Sequence, residues 1–573
     1  MGDLEDEKKL EHGQQLDDGT KRPITTPDEE EKREPIASTA VVEDAPIAPL
    51  TATQSATEPV YITGVKLWTV LAAVTLIAFL MLLDTSIIAT AIPQITNDFH
   101  SLPDVGWYGS AYLLTSSALQ PLTGKIYTRF STKWAFIAFF SVFELGSVLC
   151  GAANSSKMLI VGRAVAGMGT SGVQNGAMTI LSASAPMHKR PMLLGIMMAV
   201  CQLGIVCGPL VGGALTQYAS WRWCFYINLP IGAVAILVLL IITIPDDKNK
   251  KAPRTPSELL KILSTLDLTG FAIFAGFAVM FLLALEWGGQ LYAWNSATII
   301  GLFCGAGITF ILFAIWEYRV GDEAMIPYSM IKRRIIVCSA IYIALVFGGQ
   351  FVQSYYMPIY FQAIKGASPS LSGVYVLPSI LSAIIMAIPS GVLVGKFGYY
   401  LPWAMACSVL FSIGSGLLTT LTPHSKTVEW VMYQVIAGFG RGCGLQIPIV
   451  AMQNDLPPQQ QALGMALIGF AQTFGGAVFL VVAQLIFSHG LKSEIPKYAP
   501  EVNPQSIIDA GATKFRQFIT PSQLPAVLEG YDKAIIHVFY LGTAITALSF
   551  FVSLGMGWKK IAQKKKKPVA PEA

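Results

Sequence analysis

The chain of 573 residues is 53 % hydrophobic, and only 13 % of its residues are charged. Soluble globular proteins carry about 25 % charged residues, so this composition argues against a soluble enzyme, a nucleic-acid-binding protein and a secreted disulfide-rich protein. The net charge of +4 is too small to indicate a polyanionic partner. A mean hydropathy of +0.55 indicates an all-α polytopic membrane protein, with the lipid bilayer as its surroundings.

The first 62 residues differ in composition from the rest of the chain. They are rich in Asp, Glu, Lys, Pro and Thr and contain almost no aromatic residues. A segment of this kind cannot bury enough apolar surface to offset the entropy of ordering it. We therefore predict a disordered cytosolic tail over residues 1–62.

From Lys66 onward, apolar stretches alternate with short polar loops. Each stretch has the length of about 20 residues that crosses ~30 Å of hydrocarbon as a helix. The pattern predicts fourteen transmembrane helices, at residues 66–92, 104–123, 134–153, 158–183, 192–217, 224–245, 266–286, 297–317, 335–362, 372–395, 402–421, 428–452, 461–488 and 534–557.

The loop charges predict the orientation of these helices. Lys and Arg residues of the short loops fall mostly on one side, fifteen against four. Because positively charged loops stay in the cytosol, both termini are predicted to be cytosolic, including a basic tail at 559–573. The segment 489–533 then forms a long outer loop.

Two short sequence patterns recur at an offset of about 270 residues. GKIYTRFSTK at 124–133 follows the second span, and GVLVGKFGYY at 391–400 follows the tenth. RAVAGMG at 163–169 lies in the fourth span, and QVIAGFG at 434–440 lies in the twelfth. Transporter folds are commonly built from repeated halves, so the recurrence indicates an internal duplication.

The duplication predicts the organisation of the chain into domains. Two six-helix halves, at 63–246 and 335–558, flank a linker at 247–334 that carries two inserted transmembrane helices.

Four ionisable residues lie inside predicted spans, namely Asp84, Glu144, Arg163 and Arg441. Each costs about 2.5–3.5 kcal/mol near the membrane centre and needs a partner or a wet cavity. Asp84 and Arg163 are expected at depths that differ by only ~5 Å, so the two can meet. A carboxylate whose charge is set by a movable arginine is suited to proton coupling, and a permanent structural salt bridge is the alternative. Glu144 is a further candidate for the coupled proton; for Glu144 and Arg441, interior polar packing is an equal alternative.

Two patterns predict gating elements. The loop at 124–133 places cations at the cytoplasmic surface, where they can hold the C-terminal ends of helices, and positive-inside bias alone is the alternative. A proline among small residues in the fifth span predicts a hinge or a tight contact between the halves, and an ordinary packing face is the alternative. The gating candidates are Gly124, Arg129, Lys133, Gly204, Gly208, Pro209, Gly212 and Gly213.

Candidate substrate contacts are concentrated in the ninth span, FGGQFVQSYYMPIYFQ. Its amides and aromatic rings suit a large, mostly apolar ligand with scattered hydrogen-bonding groups, and packing is the alternative for each side chain. The substrate-binding candidates are Gln350, Gln353, Tyr356 and Tyr360, together with Gln446 from the twelfth span.

Over residues ~65–560 the sequence resembles the major facilitator superfamily, specifically the fourteen-helix drug:proton antiporters of fungi. The resemblance is carried by LLDTSIIATAIP at 82–93, WYGSAYLLT at 107–115, LIVGRAVAGMGTSG at 159–172, GIVCGPLVGG at 204–213 and WRWCFYINLPIG at 221–232. YYMPIYFQAIKGASPSLSG at 355–373 is similar to the branch that contains exporters of the aflatoxin and gliotoxin type.

The resemblance also implies roles for individual residues. By this likeness, Asp84 and Arg163 handle the proton, and the loop at 124–133 is the gating loop. That loop departs from the family pattern, because Thr128 and Ser131 stand where an acidic residue and a second glycine are usual.

Together these features favour a proton-coupled efflux transporter of apolar or amphipathic small molecules, such as fungal toxins or drugs. We expect a monomer in the plasma membrane, with the vacuolar membrane as the alternative. The sequence has no GxxxxGK[ST] motif, so ATP is not expected as the energy source, and no cofactor, metal or enzymatic activity is expected. The alternatives are a siderophore or basic amino-acid carrier of the same fold and a membrane sensor that does not transport.

Overall fold

A computed structural model describes residues 61–100, 104–244, 246, 255–289, 291–508, 515–516 and 519–561. The predicted disordered tail lies almost entirely outside these residues. So do the basic stretch 247–254 within the linker and most of the predicted basic tail.

The described residues include eighteen α-helices with defined ends, besides the helical residues 504–508 between the last two of them. The first half contains α1 (Val65–Phe99), α2 (Val105–Arg129), α3 (Thr132–Gly151), α4 (Ser156–Ser184), α5 (Arg190–Tyr218), α6 (Trp223–Tyr226) and α7 (Asn228–Ile241). The middle segment contains α8 (Pro256–Ser264), α9 (Leu268–Trp287), α10 (Ala297–Val320) and α11 (Tyr328–Ile331). The second half contains α12 (Arg334–Ala363), α13 (Pro369–Phe397), α14 (Leu401–Leu418), α15 (Thr427–Gly444), α16 (Ile447–Asp455), α17 (Gln461–Tyr498) and α18 (Leu524–Leu554).

Each of the fourteen predicted spans coincides with one long helix or with two successive helices. Twelve are long and apolar enough to cross a membrane. The other two, α2 and α4, have 25 and 29 residues but are rich in Gly, Ser and Thr, which lowers their apolarity. The all-α fold is confirmed, with only isolated β-bridges in the described part of the chain, whereas the count of fourteen spans stays a prediction.

Side chains that cap helix starts explain several boundaries. The Ser155 hydroxyl accepts a hydrogen bond from the Met158 backbone at the start of α4, and Ser368 does the same for Leu371 in α13. Each cap satisfies a backbone N–H that has no partner within the helix.

The segment 489–533 contains much more helix than the long loop predicted for it. Helix α17 continues to Tyr498, and α18 already begins at Leu524. The extension buries Leu491 and Ile495 in a hydrophobic cluster that also contains Val527 and Tyr531. Because this stretch is amphipathic, hydropathy alone ends the spans too early.

Corresponding helices of the two predicted halves have corresponding neighbours. In the first half α4 packs against α2 and α3, and α1 packs against α5; in the second half α15 packs against α13 and α14, and α12 packs against α17. The halves meet where α5 packs on α13 and α2 packs on α17. The inserted α9 and α10 pack on each other, and α9 also contacts α2 and α17.

Glycine contacts repeat between the halves in atomic detail. A Cβ atom at Gly146 would lie 2.6 Å from the Cα of Ala166, and one at Gly414 would lie 2.6 Å from the Cα of Ala437. No real Cβ approaches a backbone so closely. At these two points α3 and α14 can therefore lie this close to their partner helices only because the residue is glycine. The same packing device in both halves supports the duplication.

The end of the molecule where α1 begins and α2 ends is here called the basic end, since Lys and Arg residues cluster in its loops. The close glycine contacts between the halves lie toward it, where Gly195 faces Ala387 and Gly391 faces Pro191. Farther from the basic end, a Cβ at Gly213 of α5 would meet nothing within 4 Å.

Candidate functional site

A buried ion pair between α1 and α4 is the centre of the candidate site. Arg163 Nη1 donates to Asp84 Oδ2 over 2.6 Å, and both side chains are at most 1 % exposed. The sequence prediction that these two residues meet is therefore confirmed. Their proposed role in proton coupling stays a prediction.

Aromatic groups and a backbone carbonyl hold Arg163 in place. Its Nε donates to the Tyr108 carbonyl over 2.9 Å, and its guanidinium lies 4.4 Å from the centre of the Tyr112 ring. The Tyr112 hydroxyl in turn accepts a hydrogen bond from Thr170 over 2.6 Å. Arg163 is thus oriented by contacts that do not involve Asp84.

Asp84 has one further partner. Asn228 Nδ2 lies 3.4 Å from Asp84 Oδ1 and 3.2 Å from the Ser147 hydroxyl. The Asn228 Oδ1 is buried without a partner among the described residues. Asn228 was not among the sequence candidates, although it lies in the WRWCFYINLPIG pattern.

Glu144 lies on α3 beside this network. Both of its carboxylate oxygens are buried and have no hydrogen-bond partner among the described residues. Its Oε1 occupies the space that a side chain at Gly232 would need. The structure thus provides a second, uncompensated acidic group near the Asp84–Arg163 pair.

The glycine run of α5 packs within its own half. A side chain at Gly204 would meet the backbone of α1 near Phe79, and Gly208 and Gly212 face Ser86 and Thr90 of the same helix. Pro209 lies within the helix, and Gly213 faces open space. The tight contact between the halves is instead made by Gly195, earlier in α5.

The residues of the predicted gating loop at 124–133 have different surroundings. Lys133 Nζ donates to the carbonyls of Leu240 and Ile242, over 2.8 and 2.9 Å, and so caps the C-terminal end of α7, as expected for a cation at that position. Gly124 faces Ala466 of the other half, with 2.9 Å between a Cβ built on it and the Ala466 Cβ.

Arg129 of the same loop is exposed. A latch between the halves that uses its charge stays a prediction.

Three of the five substrate candidates have free or cavity-facing groups, namely Gln350 and Gln353 on α12 and the buried Gln446, whose Oε1 has no partner among the described residues. Gln353 Nε2 donates to the Ser415 hydroxyl over 2.9 Å, and the residue lines a cavity between α12, α13 and α15. Gln350 is 6 % exposed, and its Oε1 has no partner among the described residues.

The substrate candidates Tyr356, Tyr360 and Gln446 lie outside that cavity. The Tyr356 hydroxyl donates to Gln484, and the Tyr360 hydroxyl donates to the Thr422 carbonyl; both rings are packed in a hydrophobic cluster. Gln446 is fully buried and donates to the Ser390 hydroxyl over 2.8 Å. Their hydrogen bonds are those of packing residues, and their substrate role stays a prediction without support in this geometry.

The cavity contains polar residues that were not among the substrate-binding candidates, although Arg441 was recognised as a charge inside a span. Gln434, Ser379 and Arg441 line it together with Gln353. Gln434 donates to the Tyr375 carbonyl over 2.9 Å, just as Arg163 donates to the Tyr108 carbonyl. The repeat of RAVAGMG as QVIAGFG, in which Gln434 matches Arg163, was the signal that could have identified it.

Among the residues that the structure describes, no group of three or more His, Cys, Asp or Glu side chains is placed to hold a metal ion.

Residues 74–480 match the sequence profile of the Major Facilitator Superfamily. The chain belongs to this superfamily. It is 57 % identical to "Efflux pump mlcE" of Penicillium citrinum, over 91 % of this chain and 95 % of that protein. It is 58 % identical to "MFS-type transporter pigP" of Monascus ruber, over 87 % of this chain and 88 % of that protein. The resemblance to fungal exporters of this superfamily is thus confirmed.

A solved structure of the proton:xylose symporter XylE matches with a TM-score of 0.55, covering 85 % of this chain and 94 % of that one. At 14 % identity this likeness shows the fold alone. Membership of the Major Facilitator Superfamily identifies the chain as a multi-pass membrane transporter of a small molecule.

Proposed function

We propose that this protein is a proton-coupled efflux transporter that expels apolar or amphipathic small molecules, such as fungal secondary metabolites, in exchange for protons. Export is supported by the relatives named as efflux pumps. The proposal of proton coupling rests on the buried Asp84–Arg163 pair. One proton can neutralise a buried carboxylate that is paired with a single cation.

The pair provides two states of the first half. With Asp84 ionised, its attraction to Arg163 holds α1 and α4 together. A proton that binds the Asp84 carboxylate removes that attraction, while the Tyr108 carbonyl and the Tyr112 ring still hold the guanidinium. Protonation therefore changes how firmly α1 is tied to α4, which is the differential interaction that a conformational switch requires.

The closed end of the molecule indicates which step of the transport cycle this conformation represents. We place the basic end in the cytosol, as the positive-inside rule requires, so the contacts of Gly195 and Gly391 close the cytosolic side. In this conformation substrate leaves to the outside and a proton enters from there. A plasma-membrane location supplies the inward proton gradient that such a cycle uses.

Glu144 is a second candidate for the proton. Its unpartnered carboxylate lies close enough to Asp84 for the two acids to influence each other's charge. In that arrangement Glu144 would receive the proton first and pass it to Asp84.

The test is retention of a fluorescent apolar dye in yeast cells that lack their own drug pumps. Cells would express the wild type, Asp84→Asn, Glu144→Gln or Asp322→Asn at matched membrane levels. Asp322→Asn is the control, because it removes an exposed carboxylate at the basic end. We expect the wild type and the control to lower retention, an uncoupler to abolish this effect, and Asp84→Asn to fail. Export by Asp84→Asn at the wild-type rate would refute the coupling role of Asp84.

A further inference from the structure

The second half contains a buried cation that has no acidic partner in the part of the chain that the structure describes. Arg441 lies in the last turn of α15 and is 2 % exposed. One guanidinium nitrogen donates to the carbonyl and the hydroxyl of Ser379, over 2.9 and 2.5 Å. The Nε atom is buried and has no partner among the described residues, and no described carboxylate forms an ion pair with this side chain.

An unpaired buried charge is costly, and natural proteins retain one mainly where it is used. Comparison with the first half shows that Arg441 is not a copy of Arg163. Gln434 occupies the position of Arg163, and Arg441 lies seven residues farther along its helix, about two turns. It matches Thr170 of the first half. The buried cation of the second half thus lies at a different helix position from that of the first half. No described carboxylate pairs with it.

The surroundings of Arg441 form a small binding site. A small cavity of about 10 Å³ lies between α12, α13 and α15, lined by Arg441, Gln353, Gln434 and Ser379 on its polar side. The apolar part of the lining consists of Met357, Val376 and Ile380, and Ser354, which is exposed, lies at its edge. Ligand sites typically combine an apolar lining with a few convergent polar groups in this way.

The free hydrogen-bonding capacity in the cavity shows what it would accept. Arg441 Nε is a donor without an acceptor, and it carries positive charge. Gln434 Oε1 is an acceptor without a donor among the described residues, and it suits a hydroxyl or N–H group of a ligand, since an ionised carboxylate only accepts hydrogen bonds. A carboxylate satisfies the arginine and compensates its charge, whereas a neutral or cationic group leaves the charge unpaired.

We propose that this cavity binds the carboxylate of an amphipathic organic acid that the protein exports. This inference rests on the proposed export function and narrows its substrate class. The cavity, at about 10 Å³, is far smaller than the ~300–1,000 Å³ of sites that enclose whole drug-sized ligands, so at most a small head group fits in it. It therefore holds the acidic end of the molecule, with the apolar remainder beyond Ser354.

The proposal is tested by equilibrium binding to the purified full-length protein in detergent, with pyrenebutyric acid and its neutral amide as probes. The acid is ionised at neutral pH, and the two probes share the same apolar body. We expect the wild type to bind the acid at least tenfold more tightly than the amide. If the wild-type protein bound both probes with equal affinity, this result alone would overturn the proposal.

Two variants and a control test whether the preference for the acid arises in this cavity. Arg441→Gln removes the cation, and Gln353→Glu places a competing carboxylate in the same cavity at nearly unchanged volume. Both should reduce the acid-to-amide ratio to about one. Arg319→Gln removes an exposed positive charge on α10 and should keep the preference. The proposal fails if both cavity variants keep the preference or if the control also loses it.

Equilibrium binding needs no proton gradient, so this outcome is independent of the coupling test. A protein that prefers the acid but is not impaired by Asp84→Asn would retain the anion site and lose the proposed coupling mechanism. If export requires Asp84 but the protein binds both probes equally, the proposed coupling mechanism is retained and the anion site is refuted.

Discussion

The charges of Asp84 and Arg163 depend on each other, because both side chains are removed from water. Removing one partner of a buried pair leaves an uncompensated charge and costs about 3–5 kcal/mol. We expect Arg163→Gln to lower the free energy of unfolding by about this amount. The neutral double variant Asp84→Asn/Arg163→Gln should recover part of the loss, as measured by denaturation of the purified protein in detergent.

An exposed pair provides the control for this prediction. Arg333 and Asp455 are 3.4 Å apart, and the Arg333 side chain is 42 % exposed. Exposed pairs contribute about 0–1 kcal/mol, so Arg333→Gln should change stability little. If the double variant were no more stable than Arg163→Gln alone, the buried charge of Asp84 would not be the cause of the loss.

The sequence predicted the residues of the ion pair but only part of their surroundings. Asp84 and Arg163 were identifiable because charge inside an apolar span is rare and their depths agree. Asn228 and Gln434 are neutral, so nothing in composition separates them from packing amides. Contacts between helices show that Asn228 binds Asp84, whereas the repeat of RAVAGMG as QVIAGFG was the only sequence signal that Gln434 corresponds to Arg163.

At the scale of helix pairs, glycines that face backbone determine how closely neighbours approach. A Cβ at Gly169 would lie 2.7 Å from the Cα of Phe143, and one at Gly440 would lie 2.8 Å from the Cα of Phe411. We expect Gly169→Ala and Gly440→Ala each to destabilise the protein by about 1–3 kcal/mol, as overpacking does. The lowering of the melting temperature of each purified variant measures this effect.

Gly213 provides the matched control for the glycine prediction, because its Cβ would meet no atom within 4 Å. Gly213→Ala should be neutral or stabilising, since alanine favours the helix by up to ~1 kcal/mol. A loss of stability equal to that of Gly169→Ala would mean that helix flexibility, and not close packing, explains the glycines.

The helices themselves were predictable because membrane spans have a fixed length and high apolarity. The prediction was least accurate where these two signals fail. Residues 489–498 of α17 are amphipathic and pack on α18, so hydropathy placed them in a loop. The glycine run of α5 was recognised, but which neighbour it faces depends on packing, and the neighbour is α1.

At the scale of the whole molecule, the contact between α5 and α13 holds the basic end closed. A Cβ at Gly391 would lie 2.9 Å from the Cα of Met192, whereas a Cβ at Gly373 of the same helix would meet nothing within 4 Å. We expect Gly391→Ala to separate α5 from α13 at this end and to shift the population toward a conformation open to the basic side. Gly373→Ala should leave the population unchanged.

Pulsed electron resonance distances between spin labels measure this shift. In a background without native cysteines, labels at the exposed positions Lys189 and Gln459 report the separation of the two halves at the basic end. Gly391→Ala should add a longer distance to the distribution, because an alanine side chain cannot fit against the backbone of α5. If Gly391→Ala and Gly373→Ala gave the same distribution, glycine contacts would not be what closes this end, and the closure would have to depend on side-chain contacts such as the hydrogen bond of 3.2 Å between Arg190 and Gln461.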